Sequence, residues 1–314
     1  MLSVTLIGLG AGAASALLFA SIASGSLAAV LLFYLAPLPL LITALGWNHL
    51  GALFGALLAA ACLSLVFGIF FAGVYFVSVA LPGWWLGYLA LLARPGSDAQ
   101  ETAEWYPPGR LLLWCAAFGT VLIIIAALNF GTDVEAFRST LRSSFERILN
   151  AASGGAPRPD ADRMLDLMVN IVPPTVAAIT TLTLVLNLYL AGRVVRVSGR
   201  LRRPWPDLSA TTLPTSVIAI LAVAWLGYFL PGMIGVVAGV LASMLLLAYA
   251  LVGFAVIHSV TRGLQSRPGL LAGSYATLIL GWPLVLIAVV GIADSAMDLR
   301  TWVARRRGLP PPPA

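Results

Sequence analysis

The first 93 residues of the chain, from Met1 to Ala93, contain no Asp, Glu, Lys or Arg. A helix needs about 20 apolar residues to cross a bilayer, so this run is long enough for four spans. It is too long for a cleaved signal peptide and lacks the basic start of one, so we expect it to remain in the mature fold. A soluble domain could not cover so much apolar surface with polar groups. The sequence therefore predicts an integral membrane protein made of transmembrane helices.

Further apolar runs extend this pattern to the end of the chain. They predict one all-α membrane domain over residues 1–300, a polytopic bundle of about eight or nine spans. Pro37 and Pro39 predict a broken or short second span, and Pro231 with Gly232 predicts a tight turn between two later spans. The predicted spans cover residues 3–23, 26–46, 50–69, 71–93, 110–130, 171–192, 214–230, 232–259 and 269–293.

All 18 basic residues are arginines, and most lie at the ends of the predicted spans. This usage is typical of a GC-rich genome, and phosphate recognition by guanidinium groups is the alternative. Either way, the net charge of +6 does not indicate nucleic-acid binding. The positive-inside rule places the arginine-rich loop 193–213, the segment 94–109 and the N-terminus in the cytoplasm of a bacterium, with the protein in its inner membrane. The same count puts the basic, Pro-rich tail 301–314 outside, against the rule, unless the last run is re-entrant around Gly281-Trp282-Pro283 or the span count is off by one.

The segment 131–170 is then predicted to face outward. Apolar residues recur there at steps of three and four, with charged residues on the other side, which predicts an amphipathic helix. The helix is either an anchor at the membrane rim or a lid over a cavity. Residues 154–159 predict a hinge, after which Asp160 would cap a short helix to Asn170, before Pro173 and Pro174 open the next span. The apolar stripe comprises Val134, Phe137, Leu141, Phe145 and Ile148.

No known catalytic motif is present in the chain, so we expect no catalytic residue, no cofactor and no enzyme activity. His49 and His258 are the only histidines, and Cys62 and Cys115 the only cysteines, which argues against a metal site. Almost no charge lies within the spans, which disfavours a carrier driven by protons or sodium. Asn187 needs hydrogen-bond partners in lipid, and it and His258 are candidates for either an inter-helix contact or a ligand contact.

Small residues recur every fourth position in three of the spans. Gly8, Gly12 and Ala16 share one face of the first, Gly51 and Gly55 share one face of the third, and Gly235 and Gly239 share one face of the span at 232–259. Small residues allow helix backbones to approach closely in a membrane. Both packing within the chain and docking of a partner membrane protein fit this pattern.

The C-terminal half carries a series of short motifs. They are NLYLAGR at 187–193, WPDL at 205–208, LP at 213–214, LVGFAVIH at 251–258, GIAD at 291–294 and MDLR at 297–300. In order and spacing they resemble the YybS-like family of bacterial polytopic membrane proteins (domain of unknown function 2232). The residues that carry the resemblance are Arg193, Trp205, Pro206, Pro214, Gly253, Asp294, Asp298 and Arg300.

That family is in turn similar to the S-components of energy-coupling-factor vitamin transporters. S-components commonly dock on a coupling protein through small residues of the first span, and Gly8, Gly12 and Ala16 would be the matching positions. The resemblance implies a subunit that binds or transports a small molecule, in contact with membrane lipid. The alternatives are a membrane scaffold or assembly protein without a ligand and, third, an intramembrane enzyme.

Overall fold

The computed structural model of the protein describes residues 2–94, 103–130, 134–153, 161–281 and 283–307. Of these residues, 84% are helical, which confirms the predicted all-α fold. A two-stranded antiparallel ribbon joins β1 (Ala93–Arg94) to β2 (Glu104–Trp105). The helices are α1 (Leu2–Ala20), α2 (Leu27–Tyr34), α3 (Pro37–Gly46), α4 (His49–Phe67), α5 (Ile69–Tyr75), α6 (Leu81–Ala90), α7 (Pro108–Phe130), α8 (Val134–Ser153), α9 (Ala161–Val197), α10 (Ser216–Gly227), α11 (Met233–Val260), α12 (Arg267–Leu280), α13 (Leu284–Met297) and α14 (Leu299–Arg306).

Within the described part of the chain, seven helical segments are long and apolar enough to cross a membrane. Two apolar helices, Ser216–Gly227 and Leu284–Met297, are shorter. The predicted last span is divided between α12 and α13, with Trp282 outside the described residues. The seven long segments are Val4–Ser24, Leu27–Gly46, His49–Phe67, Ile69–Ala90, Pro108–Asn129, Asp162–Val197 and Met233–Val260.

Two of the predicted helix breaks are present in the structure. The second span is divided into α2 and α3, with Pro37 as the first residue of α3, because proline has no N–H to continue the ladder of α2. Between α10 and α11, Gly232 has a φ of 79°, a conformation that residues with a Cβ atom rarely adopt. The Pro231–Gly232 turn therefore ends one helix and starts the next.

The prediction of a separate short helix ending at Asn170 was wrong. Helix α9 runs without a break from Ala161 to Val197 and contains Pro173 and Pro174. The fixed φ of proline is compatible with a helix, and in an apolar segment a continuous helix keeps the remaining backbone groups hydrogen-bonded. The predicted hinge at 154–159 and the cap at Asp160 lie outside the described residues.

The described helices form two compact units. The first comprises Met1–Cys115 and Thr180–Thr211, so its boundaries fall within α7 and α9. In it, α1 packs against α3 and α4, and α3 packs against α6. Its core is centred on Phe19, Leu40 and Tyr75, which are at most 2% exposed.

The second unit comprises Ala116–Ile179 and Thr212–Ala314. Here α11 packs against α10, α13 and α14. A core cluster of Ala116, Ile123, Ala177, Val240 and Met244 connects α7, α9 and α11. The assignment of residues 1–300 to one membrane domain stays a prediction.

Candidate functional site

The second unit contains a groove of about 640 Å³. Its walls are residues of α8, α9, α10 and α11, and the turn at Pro231 closes one side. The amphipathic helix α8, which the sequence predicted as either a rim anchor or a lid, contributes Val134, Phe137 and Arg138. This volume is in the range of sites that hold a small organic ligand.

Most residues that line the groove are apolar, and its polar side chains come from α8, α9, α11 and the turn after α10. Arg138 is the charged residue among those that line it. No carboxylate of the described residues forms an ion pair with Arg138, whereas Arg142, one turn further on, binds Asp162 and Asp166 of α9. Arg138 therefore adds a positive charge to the groove lining, with no carboxylate partner among the described residues.

Proline leaves two backbone carbonyls of the lining residues without helical donors. Pro173 and Pro174 have no N–H, so the carbonyls of Val169 and Asn170 lack their usual helical donors. All four residues line the groove. The side-chain amide of Asn170 donates to the Asp166 carbonyl (2.8 Å), which directs its nitrogen away from a ligand. The groove lining thus includes one cationic side chain and two residues whose carbonyls lack a helical donor.

Two glycines shape the opposite wall. A Cβ atom at Gly239 would lie 2.7 Å from the ring of Tyr228, and one at Gly235 would lie 2.2 Å from the Leu230 carbonyl oxygen. Glycine at both positions lets the turn after α10 fold close to α11. Ser243, one turn beyond Gly239, also lines the groove, and its hydroxyl donates to the Gly239 carbonyl (2.8 Å). We predicted the small-residue spacing at 235 and 239 but not the groove.

The small residues of the first span lie against another helix of the same unit. A Cβ atom at Gly8 would lie 2.2 Å from the Gly51 carbonyl oxygen, and one at Gly12 would lie 2.1 Å from that of Gly55. The face is therefore occupied by α4. Ala16, the third residue of the face, is half-buried beside the core of the first unit. A partner that docked on these glycines would have to displace α4.

Asn187 makes an inter-helix contact. Its amide donates to the carbonyls of Tyr34 and Thr183, both at 2.8 Å, and the side chain is 1% exposed. The break after Tyr34 explains the first bond, because the amide of Leu38 bonds to Leu35 and leaves the Tyr34 carbonyl without its helical donor. Asn187 thus supplies the hydrogen bond that the proline break removes.

The same break has a second support that sequence reasoning missed. The Ser15 hydroxyl donates to the Ala36 carbonyl (2.7 Å) and accepts from the Tyr75 hydroxyl (3.0 Å). Both side chains are fully buried. No local pattern indicates this network, since Ser15 and Tyr75 are 60 residues apart in the sequence.

His258 joins α11 to α12 in the second unit. Its Nδ1 lies 2.9 Å from the Phe254 carbonyl oxygen, and its Nε2 lies 3.2 Å from the Tyr275 hydroxyl. The Tyr275 ring stacks on that of Phe254, with centroids 5.3 Å apart. Both ring nitrogens therefore have partners within the unit, as expected for an inter-helix contact.

The motif residues near the C-terminus pack α13 and α14 onto α11. A Cβ atom at Gly253 would lie 2.0 Å from the Ile287 carbonyl oxygen. Asp294 and Arg300 form a buried ion pair at 3.3 Å. Asp298, with a φ of 51°, accepts from the Thr301 amide and caps α14.

The remaining motif residues lie on either side of a single loop. Arg193 and Trp205 stack on each other, with the guanidinium carbon 5.6 Å from the ring centroid. Pro206 follows Trp205, and the Pro214 carbonyl accepts from the Val217 amide at the start of α10. None of these four residues is among those that line the groove.

The absence of a metal site was also a prediction. Among the residues that the structure describes, no group of three or more His, Cys, Asp or Glu side chains is placed to hold a metal ion. The expectations of no metal, no cofactor and no catalytic residue stay predictions.

Comparison with known proteins gives one match. A family model described as a predicted membrane protein (DUF2232) matches residues 13–295. Neither the curated proteins nor the solved structures contain a match to this chain.

Proposed function

Because the chain belongs to the DUF2232 family of predicted membrane proteins, we propose that it acts within the membrane as a subunit that binds a small molecule. The observation that carries the proposal is the groove of the second unit. Its lining is mostly apolar and includes the cation Arg138 of helix α8. Binding and not catalysis is proposed, because the groove presents one cation and backbone acceptors but no acid–base pair.

The groove also indicates the class of ligand. Phe137, Trp225 and Val236 suit an apolar body, and Arg138 suits an acidic or strongly hydrogen-bonding head group. The carbonyls of Val169 and Asn170 would accept hydrogen bonds from the same head group. An amphiphilic molecule with a polar, acid-bearing end fits this arrangement better than a sugar or a metal ion does.

Two further parts of the hypothesis, transport and location, are proposals of the same kind. Transport of the ligand, as in an S-component, would follow binding and needs its own assay. A coupling partner at Gly8, Gly12 and Ala16 is not part of the proposal, because α4 occupies that face. The arginine distribution supports a bacterial inner membrane as the location.

A fluorescence experiment tests the proposal. Purified protein is titrated with a brominated fatty acid, which quenches tryptophan emission on contact, and Trp225→Phe is compared with wild type to isolate the signal of Trp225. We expect saturable quenching from Trp225 in wild type. Val236→Trp, which fills the groove, and Arg138→Gln, which removes its cation, should each weaken binding by roughly tenfold or more.

The matched control is Arg147→Gln. Arg147 lies on the same helix but bonds to the Ser143 carbonyl and the Ser144 hydroxyl, outside the groove. If this control weakens binding as much as Arg138→Gln does, the guanidinium of Arg138 has no specific role. Quenching that rises linearly without saturation in every variant would refute the groove as a binding site.

A further inference from the structure

The first unit has a separate cluster of arginine and aromatic side chains at the end of α9. Trp205 packs on α9 at Gly192, where a Cβ atom would lie 3.2 Å from its ring. The guanidinium carbons of Arg193 and Arg196 lie 5.6 and 5.2 Å from the ring centroid, and Tyr189 meets the ring edge-on. We call these four side chains, Tyr189, Arg193, Arg196 and Trp205, the Trp205 cluster.

A second pair of the same type lies in this unit. The guanidinium carbon of Arg200 is 4.6 Å from the centroid of Trp47, at the end of α3. Arg203 differs from the others, because it is half-buried and donates to the Ala90 carbonyl at the end of α6 (3.2 Å). Burial lowers the pKa of Arg203, and we assign it to the support of α6, where a cation at a helix C-terminus is favourable.

The exposed arginines have no acidic partners in the described residues. Arg193, Arg196, Arg200 and Arg202 form no ion pair with a carboxylate there, and Asp207 in the same loop accepts from the amide and hydroxyl of Ser209. Positive charge is thus concentrated beside aromatic rings at the end of a membrane span. Tryptophan favours the head-group zone of a bilayer, and guanidinium groups bind phosphate through two parallel hydrogen bonds.

From this geometry we propose that the Trp205 cluster binds the phosphate of an anionic phospholipid. Arg193 and Arg196 lie one turn apart on α9, so both can reach oxygens of one phosphate group. Stacking on Trp205 holds the two guanidinium groups before the lipid arrives, which reduces the entropy lost on binding. Arg200, stacked on Trp47, supplies a second cationic contact for the same anionic lipid surface.

The test measures lipid binding with phosphatidylglycerol as the probe. Purified protein in neutral detergent is titrated with phosphatidylglycerol or phosphatidylcholine, and bound lipid is counted by native mass spectrometry. We expect wild type to retain phosphatidylglycerol selectively. Arg193→Gln with Arg196→Gln should weaken that binding by roughly tenfold or more.

Two further variants separate geometry from charge. Arg193→Lys with Arg196→Lys keeps the charge but loses the planar fork, so we expect intermediate binding. Trp205→Leu keeps both arginines but removes the stacking surface, so we expect a loss of selectivity for phosphatidylglycerol. Each variant is first shown to match wild type in melting temperature in phosphatidylcholine, so that loss of binding is not loss of fold.

The control removes the same charge elsewhere. Arg147→Gln with Arg163→Gln alters two exposed arginines of the second unit. Equal loss of binding in this control would overturn the proposal, because total charge and not the cluster would then attract the lipid. Displacement of bound phosphatidylglycerol by inorganic phosphate at equal concentration would also overturn it, since the site would then recognise free phosphate. Unchanged binding in the glutamine variant would refute it directly.

Discussion

The contact between α1 and α4 gives a stability prediction that can be worked from the structure. Gly12 faces the Gly55 carbonyl, and a Cβ atom added there would lie 2.1 Å from its oxygen. Cβ atoms keep at least 3.0 Å from other heavy atoms, so α1 and α4 would have to separate by about 0.9 Å. Backbone stands on both sides of the contact, and no flexible side chain can move away.

The expected cost of Gly12→Ala follows from that displacement. Forcing extra atoms into a well-packed interface costs about 1–3 kcal/mol. Separation also weakens the backbone contacts that glycine permits, each worth about 0.1–0.2 kcal/mol. In a membrane these losses are not offset by a hydrophobic effect between helices. We therefore expect Gly12→Ala to lower the free energy of unfolding by about 1–3 kcal/mol.

Gly10→Ala is the matched control on the same helix. Gly10 is exposed, and nothing lies within 4 Å of a Cβ atom there. Both substitutions make the same chemical change and gain the same helix propensity. Unfolding is measured by titrating denaturing detergent into lipid micelles while following helical circular dichroism. Equal stability of the two variants would refute close glycine packing between α1 and α4.

Three other perturbations have expected outcomes of their own. Asn187→Leu should lower the free energy of unfolding by about 1–3 kcal/mol in the same assay, because a buried carbonyl loses its donor. Asn129→Leu, which removes an amide that bonds within its own helix, should change the free energy of unfolding little. Asp294→Asn should lower the free energy of unfolding by about 3–5 kcal/mol, because it removes the carboxylate that pairs with a buried guanidinium. Adding Arg300→Met should recover most of this loss. If it recovers none, the two residues are not coupled as a pair. Arg142→Gln should speed amide hydrogen exchange in α8 by roughly two- to fivefold, as expected for an exposed ion pair, and unaltered exchange would show that the pair does not hold α8.

Sequence reasoning was successful where the signal is local and repeated. The uncharged run from Met1 to Ala93 predicts helices because a bilayer requires them, and the spacing from Val134 to Ile148 predicts α8 because one face must be apolar. Pro37 predicted a break for a similarly local reason. Each of these inferences depends on residues within a few turns of one another.

Sequence reasoning failed where a contact joins residues that are far apart in the sequence. The partner of Asn187 is the Tyr34 carbonyl, 153 residues away, and no pattern in one sequence connects them. The groove is formed from α8, the proline pair of α9 and the 225–246 region, each unremarkable by itself. Pro173 and Pro174 indicated a helix start, yet α9 continues through them, because a continuous helix in lipid keeps the rest of its backbone hydrogen-bonded.

The two proline sites lead to opposite functional conclusions. In the first unit, the carbonyls of Tyr34 and Ala36 accept hydrogen bonds from Asn187 and Ser15. Side chains of the protein itself therefore supply the hydrogen-bond donors at this break. In the second unit, the carbonyls that Pro173 and Pro174 deprive of helical donors belong to residues that line an open groove. A carbonyl in an apolar setting costs free energy until it gains a donor. A ligand with a donor group in its head can supply one there, and it has no such opportunity at the first break. This difference is the physical reason to look for a bound molecule in the second unit.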